Sequence, residues 1–376
     1  MFLFGAATIV AQKSVEPRVF LLDVKAEDRQ RSLADPAARQ IDNDAKRALS
    51  AKVASIVSKQ AAPPSGDKHD YMSQAPYFWR NPNTPTGLPY VRRDGERNPE
   101  IEKFPDHELL DTMVSTVERL SLGYFVTGKR EYADRAGEIL RMWFLDPSTR
   151  MNPNLEFAQA IPGINTGRGI GIIETRGLTR VVDSVGLLAG SASWSKSDQA
   201  GVEAWFSKYL AWLLESKNGK DESAAKNNHG TFYDVQIASF ALFVGNRELA
   251  RTTLEIAKQK RIATQVEKDG RQPLELERTK SWDYSVMNLD GLVSLAKLAD
   301  HEGIDLWNFQ ATGRGDIRQA ILFLAPFARD SKKWPYKQIS TVSPERFEAI
   351  ARWAGRKYKD AEFQRLVGSL DTFKKS

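Results

Sequence analysis

Two short segments of this 376-residue chain gather side chains that can move a proton off carbon. Asn228 and His229 stand together in Lys226-Asn227-Asn228-His229-Gly230, and Arg278 and Tyr284 share the run from Glu277 to Tyr284. Amide, imidazole, guanidinium and phenol together suit abstraction of a proton from a carbon beside a carboxylate. Donors and a cation must offset the carboxylate's charge while an enolate-like state builds, and each pre-aimed donor in a dry site lowers the barrier by about 3 kcal/mol. A base must reach the carbon, and the leaving oxygen must receive a proton. Tyr284 serves both ends if Arg278 draws its phenol below the ordinary value of about 10. That chemistry needs neither a metal nor an organic cofactor.

Each of these residues also has an ordinary reading. Asn228 precedes an apolar-periodic stretch and suits a helix N-cap. His229 would then pack in the first turn, Arg278 would pair with Glu275 or Glu277, and Tyr284 would be a core aromatic with a satisfied hydroxyl. Their combination, not any single one, points to a site.

The elements that must hold them are helical. Apolar residues recur at the 3.6 period over about 38–60, 107–127, 130–144, 175–190, 196–215, 229–244, 247–268, 284–300, 314–328 and 344–356. Period-two alternation is scarce, which argues against a large sheet. Phe125-Val126-Thr127-Gly128-Lys129-Arg130-Glu131 is echoed by Phe243-Val244-Gly245-Asn246-Arg247-Glu248, each an apolar helix ending at Gly before a new amphipathic one. The echo predicts helical hairpins, and its irregular period favours a closed or partly closed ring over a solenoid. The fold class expected is therefore all-α, an incomplete α/α toroid, occupying residues 30–376 as one domain. The aromatic-rich stretches 62–105 and 146–174 break the pattern, and loops of that length are expected to lie ordered over the central cleft.

A net charge of +6 favours an anionic partner, while the interspersed charges offer no basic arm for nucleic acid. No cysteine is present and the four histidines (His69, His107, His229, His301) lack helical pairing, so thiolate and multi-histidine metal sites are not expected. Residues 1–11, Met1 to Ala11, read as the apolar part of a secretion signal with cleavage near Ala11, too short to span a bilayer. Export to the periplasm or medium follows as the expectation, with no membrane insertion.

The Asn-Asn-His-Gly segment, Pro273-Leu274-Glu275-Leu276-Glu277-Arg278 and Ser281-Trp282-Asp283-Tyr284-Ser285 resemble the alginate lyase superfamily, most closely polysaccharide lyase family 38. Tyr71 to Glu100, Asn152 to Gly163 and Gly171 to Arg176 share the likeness, which covers most of the chain from about residue 60. The resemblance implies an α/α toroid and a metal-independent lyase acting on uronic-acid polymers, alginate first and glucuronan next. It implies carboxylate neutralisation by Asn228 and His229, with His229 a base for one C5 epimer, Arg278 near the carboxylate, and Tyr284 as acid and, for syn elimination, also base. The related family 5 spaces its arginine and tyrosine one residue further apart, so its finer details are not carried over.

Sugar contacts are expected from Tyr77, Trp79, Arg92, Arg93, Gln159, Arg176 and Trp282, since aromatic faces stack on sugar rings and arginines bind carboxylates in bidentate fashion. Against this, Trp79 and Trp282 suit burial under a loop, and Arg176 suits a pair with Glu174 or Asp183. Two other functions remain open at this stage. A glycoside hydrolase would draw two flanking carboxylic acids from Asp221, Glu222, Asp234, Asp283 and Asp290. A non-catalytic helical-repeat glycan binder would explain the hairpins and charge but not the two constellations.

Overall fold

A computed structural model describes residues 17–372; the expected secretion signal at residues 1–11 lies outside them. The helices are α1 (Pro36–Leu49), α2 (Asp106–Thr127), α3 (Arg130–Phe144), α4 (Leu178–Leu187), α5 (Lys196–Glu215), α6 (Lys217–Ser223) and α7 (Asn228–Phe243). They continue as α8 (Arg247–Ala257), α9 (Pro273–Leu276), α10 (Ser281–Asp300), α11 (Ile317–Arg329), α12 (Glu345–Ala354) and α13 (Ala361–Thr372). The echo noted above is the pair of hairpins α2–α3 and α7–α8. Neighbours pack in turn: α1 on α2, α2 on α3 and α4, α4 and α5 on α7, α7 on α8 and α10, and α10 on α11 and α12. The result is an α/α toroid.

Helix α7 shows why the ring closes. Every residue of it except His229 is buried, polar Thr231, Asp234, Gln236 and Ser239 included, so it is enclosed by other helices on every side. Outer helices such as α3 and α8 bury one stripe only. A single cluster of buried side chains runs from Phe20 to Leu366, and each large apolar side chain in it contributes about 1.5–3 kcal/mol.

Several boundaries differ from the sequence reading. The helix expected over 38–60 stops at Leu49, and the chain beyond turns so that buried Lys59 meets buried Asp106. The stretch expected as helix from 175 opens as a 3-10 coil, Gly169–Gly177. Helix α8 passes at Ala257 into a π turn, Lys258–Ala263, which swings Arg261 inward onto Asp234. Helix α6, Lys-Asn-Gly-Lys-Asp-Glu-Ser, has no apolar period to betray it.

The two long loops are ordered against each other. Strand β1 (Met72–Gln74) pairs in parallel with β4 (Phe157–Ala160), stitching one loop to the other. Strands β2 (Phe78–Trp79) and β3 (Val91–Arg92) form an antiparallel hairpin in the first loop. Only these two-stranded sheets occur among the described residues.

Candidate active site

At the start of α7 the N-cap is Asn227, whose side chain accepts from the His229 N–H. The capping role expected of Asn228 thus falls one residue earlier. Asn228 turns inward, where its backbone N–H and Nδ2 donate to Glu275 Oε1 and Oε2, each at 2.7 Å. Glu275 is buried on α9; burial raises its carboxyl above the ordinary range, against the two bonds from Asn228. The approach to α7 is held by Arg261, which donates to Ser223 O, Ala225 O and Asp234. Gly230 is required here, because a Cβ would lie 2.1 Å from Ala225 O and 2.2 Å from Arg261 Nη1.

His229 faces the other way. Its Nδ1 lies 2.8 Å from Oε1 of Glu222, a residue 1% exposed on α6. A carboxylate offers only acceptors, so Nδ1 carries a hydrogen, and in the neutral ring the lone pair is then on Nε2. Nε2 has no hydrogen-bond partner among the described residues and His229 lines a cleft of about 610 Å³.

Tyr284 enters the same cleft from the first turn of α10. Its hydroxyl lies 2.9 Å from the Tyr77 hydroxyl, and the Arg278 guanidinium stacks over its ring, 3.7 Å from the centroid. Burial pushes the Tyr284 phenol up, Tyr77 adds to the rise, and Arg278 opposes it without prevailing. The expectation that Arg278 would draw out a phenolate is therefore corrected: in the free protein Tyr284 is a neutral donor.

Arg278 itself pairs with neither Glu275 nor Glu277. It donates through Nε and Nη2 to Asp94, just beyond β3, and Asp94 also accepts from the backbone and hydroxyl of Thr279. Burial pulls the guanidinium down, but its bond to Asp94 and the neighbouring acidic groups leave it net raised. Gly95 permits this docking, since its φ is 76° and a Cβ would lie 2.4 Å from Thr279 Oγ1. The hairpin is thereby fastened over the cleft at two points, Asp94 to Arg278 and Tyr77 to Tyr284.

The cleft walls are cationic. Arg92, Arg97, Arg168, Arg176 and Arg278 line it, against Glu102, Glu108 and Glu174. Glu174 is occupied by hydroxyl donors from Tyr71 and Ser73. Arg168 donates to the backbone O and to Oε1 of Gln159 and has no carboxylate partner among the described residues; burial pulls it down to about 10. Arg176 bonds to Ile173 O and pairs with neither Glu174 nor Asp183, the latter being taken by the N–H groups of Phe20, Leu21 and Leu22. Desolvated arginines without a paired carboxylate favour an anionic ligand, and the excess of arginine over glutamate in the cleft focuses the field on it. Among the described residues no group of three or more His, Cys, Asp or Glu could hold a metal ion.

The family profile described as alginate lyase matches residues 55–334. The chain belongs to the alginate lyase family. An alginate lyase from Bacteroides ovatus is similar in solved structure, with 35% identity over 94% of this chain and 95% of that one and a TM-score of 0.89. Alginate lyase A1-III from Sphingomonas species A1 shares the fold, with 17% identity, 87% and 88% coverage and a TM-score of 0.56. No curated protein matches the chain. Membership of this family makes the chain a polysaccharide lyase.

Of the lyase residues expected from sequence, Asn228, His229, Arg278, Tyr284, Tyr77, Arg92, Gln159 and Arg176 line the one cleft. Three do not. Trp282 is 1% exposed, its indole donating to Ser343 O and packed edge-on to Trp334, so its expected sugar contact is corrected to a core role. Trp79 donates to Glu96 O while Arg93 covers its ring at 5.1 Å, and the pair holds the hairpin outside the cleft lining. None of the five carboxylic acids suggested for a hydrolase lines the cleft: Asp234, Asp283 and Asp290 are bonded elsewhere, and Glu222 stands behind His229. Sequence reasoning missed Asp94, Arg168 and the positioning roles of Glu222 and Glu275. Their partners lie on other elements; Asp94 and Glu275 meet residues far away in sequence, while Glu222–His229 and Gln159–Arg168 are near in sequence but carry no local pattern that marks them.

Proposed function

We propose that this lyase cleaves a uronic-acid polymer, with alginate the leading substrate and glucuronan next, by β-elimination that leaves an unsaturated sugar at the new end. Within the superfamily we group it with polysaccharide lyase family 38, on the motifs described above. The observation that carries the reading is the convergence, in one arginine-lined cleft, of a free imidazole nitrogen and a phenol held neutral.

In this reading His229 Nε2 takes the C5 proton and Tyr284 gives its proton to the departing O4. The electron pair of the C5–H bond forms the C4–C5 double bond as the C4–O4 bond breaks. Charge building on the uronate carboxyl is offset by the remaining N–H of Asn228 and by Arg278, whose Nη1 makes no bond among the described residues. Arg92, Arg97, Arg168 and Arg176 hold neighbouring carboxylates, and Gln159 and Tyr77 bind hydroxyls. The protein's own groups supply both proton transfers and the charge stabilisation, so the proposal invokes no metal and no cofactor. Export, suggested by residues 1–11, fits a polymeric substrate too large to enter a cell.

The test is a panel of mannuronate blocks, guluronate blocks and glucuronan, scored by ultraviolet absorbance of the conjugated double bond. Absorbance should grow with at least one polymer and be lost in Tyr284→Phe. If His229→Ala kept the parental rate, Tyr284 alone would be serving as base and acid.

A further inference from the structure

Beside the cleft, and sharing Ser73, Gln74 and Phe104 with it, lies a smaller cavity of about 180 Å³. Its character is opposite to that of the arginine-lined cleft. Pro64, Met72, Phe157, Ala160 and Pro162 give it apolar walls, and no charged side chain lines it. A bare uronan, whose substituents are hydroxyls and carboxylates, has no apolar side group to place there. One polar group points to what does: the Gln74 side chain is 7% exposed, and its Nε2 is buried without a hydrogen-bond partner. A buried amide donor left unpaired is costly and calls for a partner, which a bound group can supply.

We propose that this cavity is an acyl subsite, taking a short ester group such as acetyl carried on a ring hydroxyl of the polymer, so that the preferred substrate is an O-acylated uronan. The methyl group lies among Pro64, Met72, Phe157, Ala160 and Pro162, and the ester carbonyl oxygen accepts from Gln74 Nε2. No bond to the ester is made or broken; the group is recognised and stays on the product. Both needs of the cavity, apolar filling and one acceptor, are met by one small substituent. The assignment rests on the lyase reading above, since it places the acyl-bearing sugar in the same cleft.

The experiment compares kcat/KM on an O-acetylated uronan with that on the same preparation after mild alkaline deacetylation. The parent should turn over the acetylated polymer with a higher kcat/KM than its deacetylated twin, and equal or lower kcat/KM would overturn the preference. Ala160→Leu fills the cavity from the end of β4, and Thr166→Phe closes it from an exposed loop position. In either folded variant the acetylated-to-deacetylated ratio should fall at least fivefold while the rate on deacetylated polymer is kept. An unchanged ratio in both variants would overturn the acyl subsite and leave the lyase reading intact. Absence of elimination from both polymers would overturn both.

Discussion

The hydroxyls of Tyr77 and Tyr284 lie 2.9 Å apart, the first on the loop entering the β2–β3 hairpin and the second on α10. This contact helps to keep Tyr284 protonated: burial raises the phenol most, and Tyr77 adds to it by charge and by hydrogen bond. Tyr77→Phe removes both contributions from Tyr77, so the Tyr284 phenol should titrate at lower pH. A general acid acts only while protonated, and the alkaline limb of the pH–rate profile should therefore move to lower pH in the variant. A limb that stays in place would mean that Tyr284 does not donate in the rate-determining step.

Glu222 fixes which nitrogen of His229 carries the hydrogen. Glu222→Gln presents an amide that can donate to Nδ1, which stabilises the wrong tautomer and turns the Nε2 lone pair into an N–H. Positioning partners of this kind are worth about 10- to 100-fold, and the loss should appear in kcat with KM little changed. A variant with parental kcat would remove Nε2 as the base.

Much of this arrangement is legible in the sequence where function and local pattern coincide. The long, mostly apolar run 229–244 gives α7, and the Asn-Asn-His-Gly run gives the cleft residues at its start. What could not be read is set by contacts between distant segments. Asp94 reaches Arg278 from the far end of the first long loop, and Arg261 is turned inward only because α8 passes into a π turn. Helix α6 carries Glu222 yet is polar throughout, so no hydrophobic period marks it. Trp282 looked like a sugar platform by type and neighbourhood, but its position on α10 faces α12 and the Trp334 loop.

Arg168 is a desolvated cation whose partners are both on Gln159, a residue held at a φ of 51°. Non-glycine residues in that region are strained and cluster at binding sites. Arg168→Ala should raise KM for the polymer by about 10-fold or more, the worth of one charged hydrogen bond, with a smaller change in kcat. Steady-state kinetics check this, and an unaltered KM would remove Arg168 from substrate binding.

Asp183 anchors the N-terminal segment by accepting from three successive backbone N–H groups, Phe20, Leu21 and Leu22. Asp183→Ala strands those donors and should lower unfolding free energy by about 3 kcal/mol, read by denaturant melts. Because Asp183 does not line the cleft, kcat at low temperature should be retained.

The central claim is that C–O cleavage proceeds by loss of the C5 proton and not by addition of water. Digestion of a uronan in heavy-oxygen water, followed by mass spectrometry of the oligosaccharides, separates the two. Elimination predicts products with one unsaturated end, one water lighter than hydrolysis products, and no heavy oxygen incorporated at the cleaved bond. Saturated fragments carrying one heavy oxygen per cleavage would contradict the account.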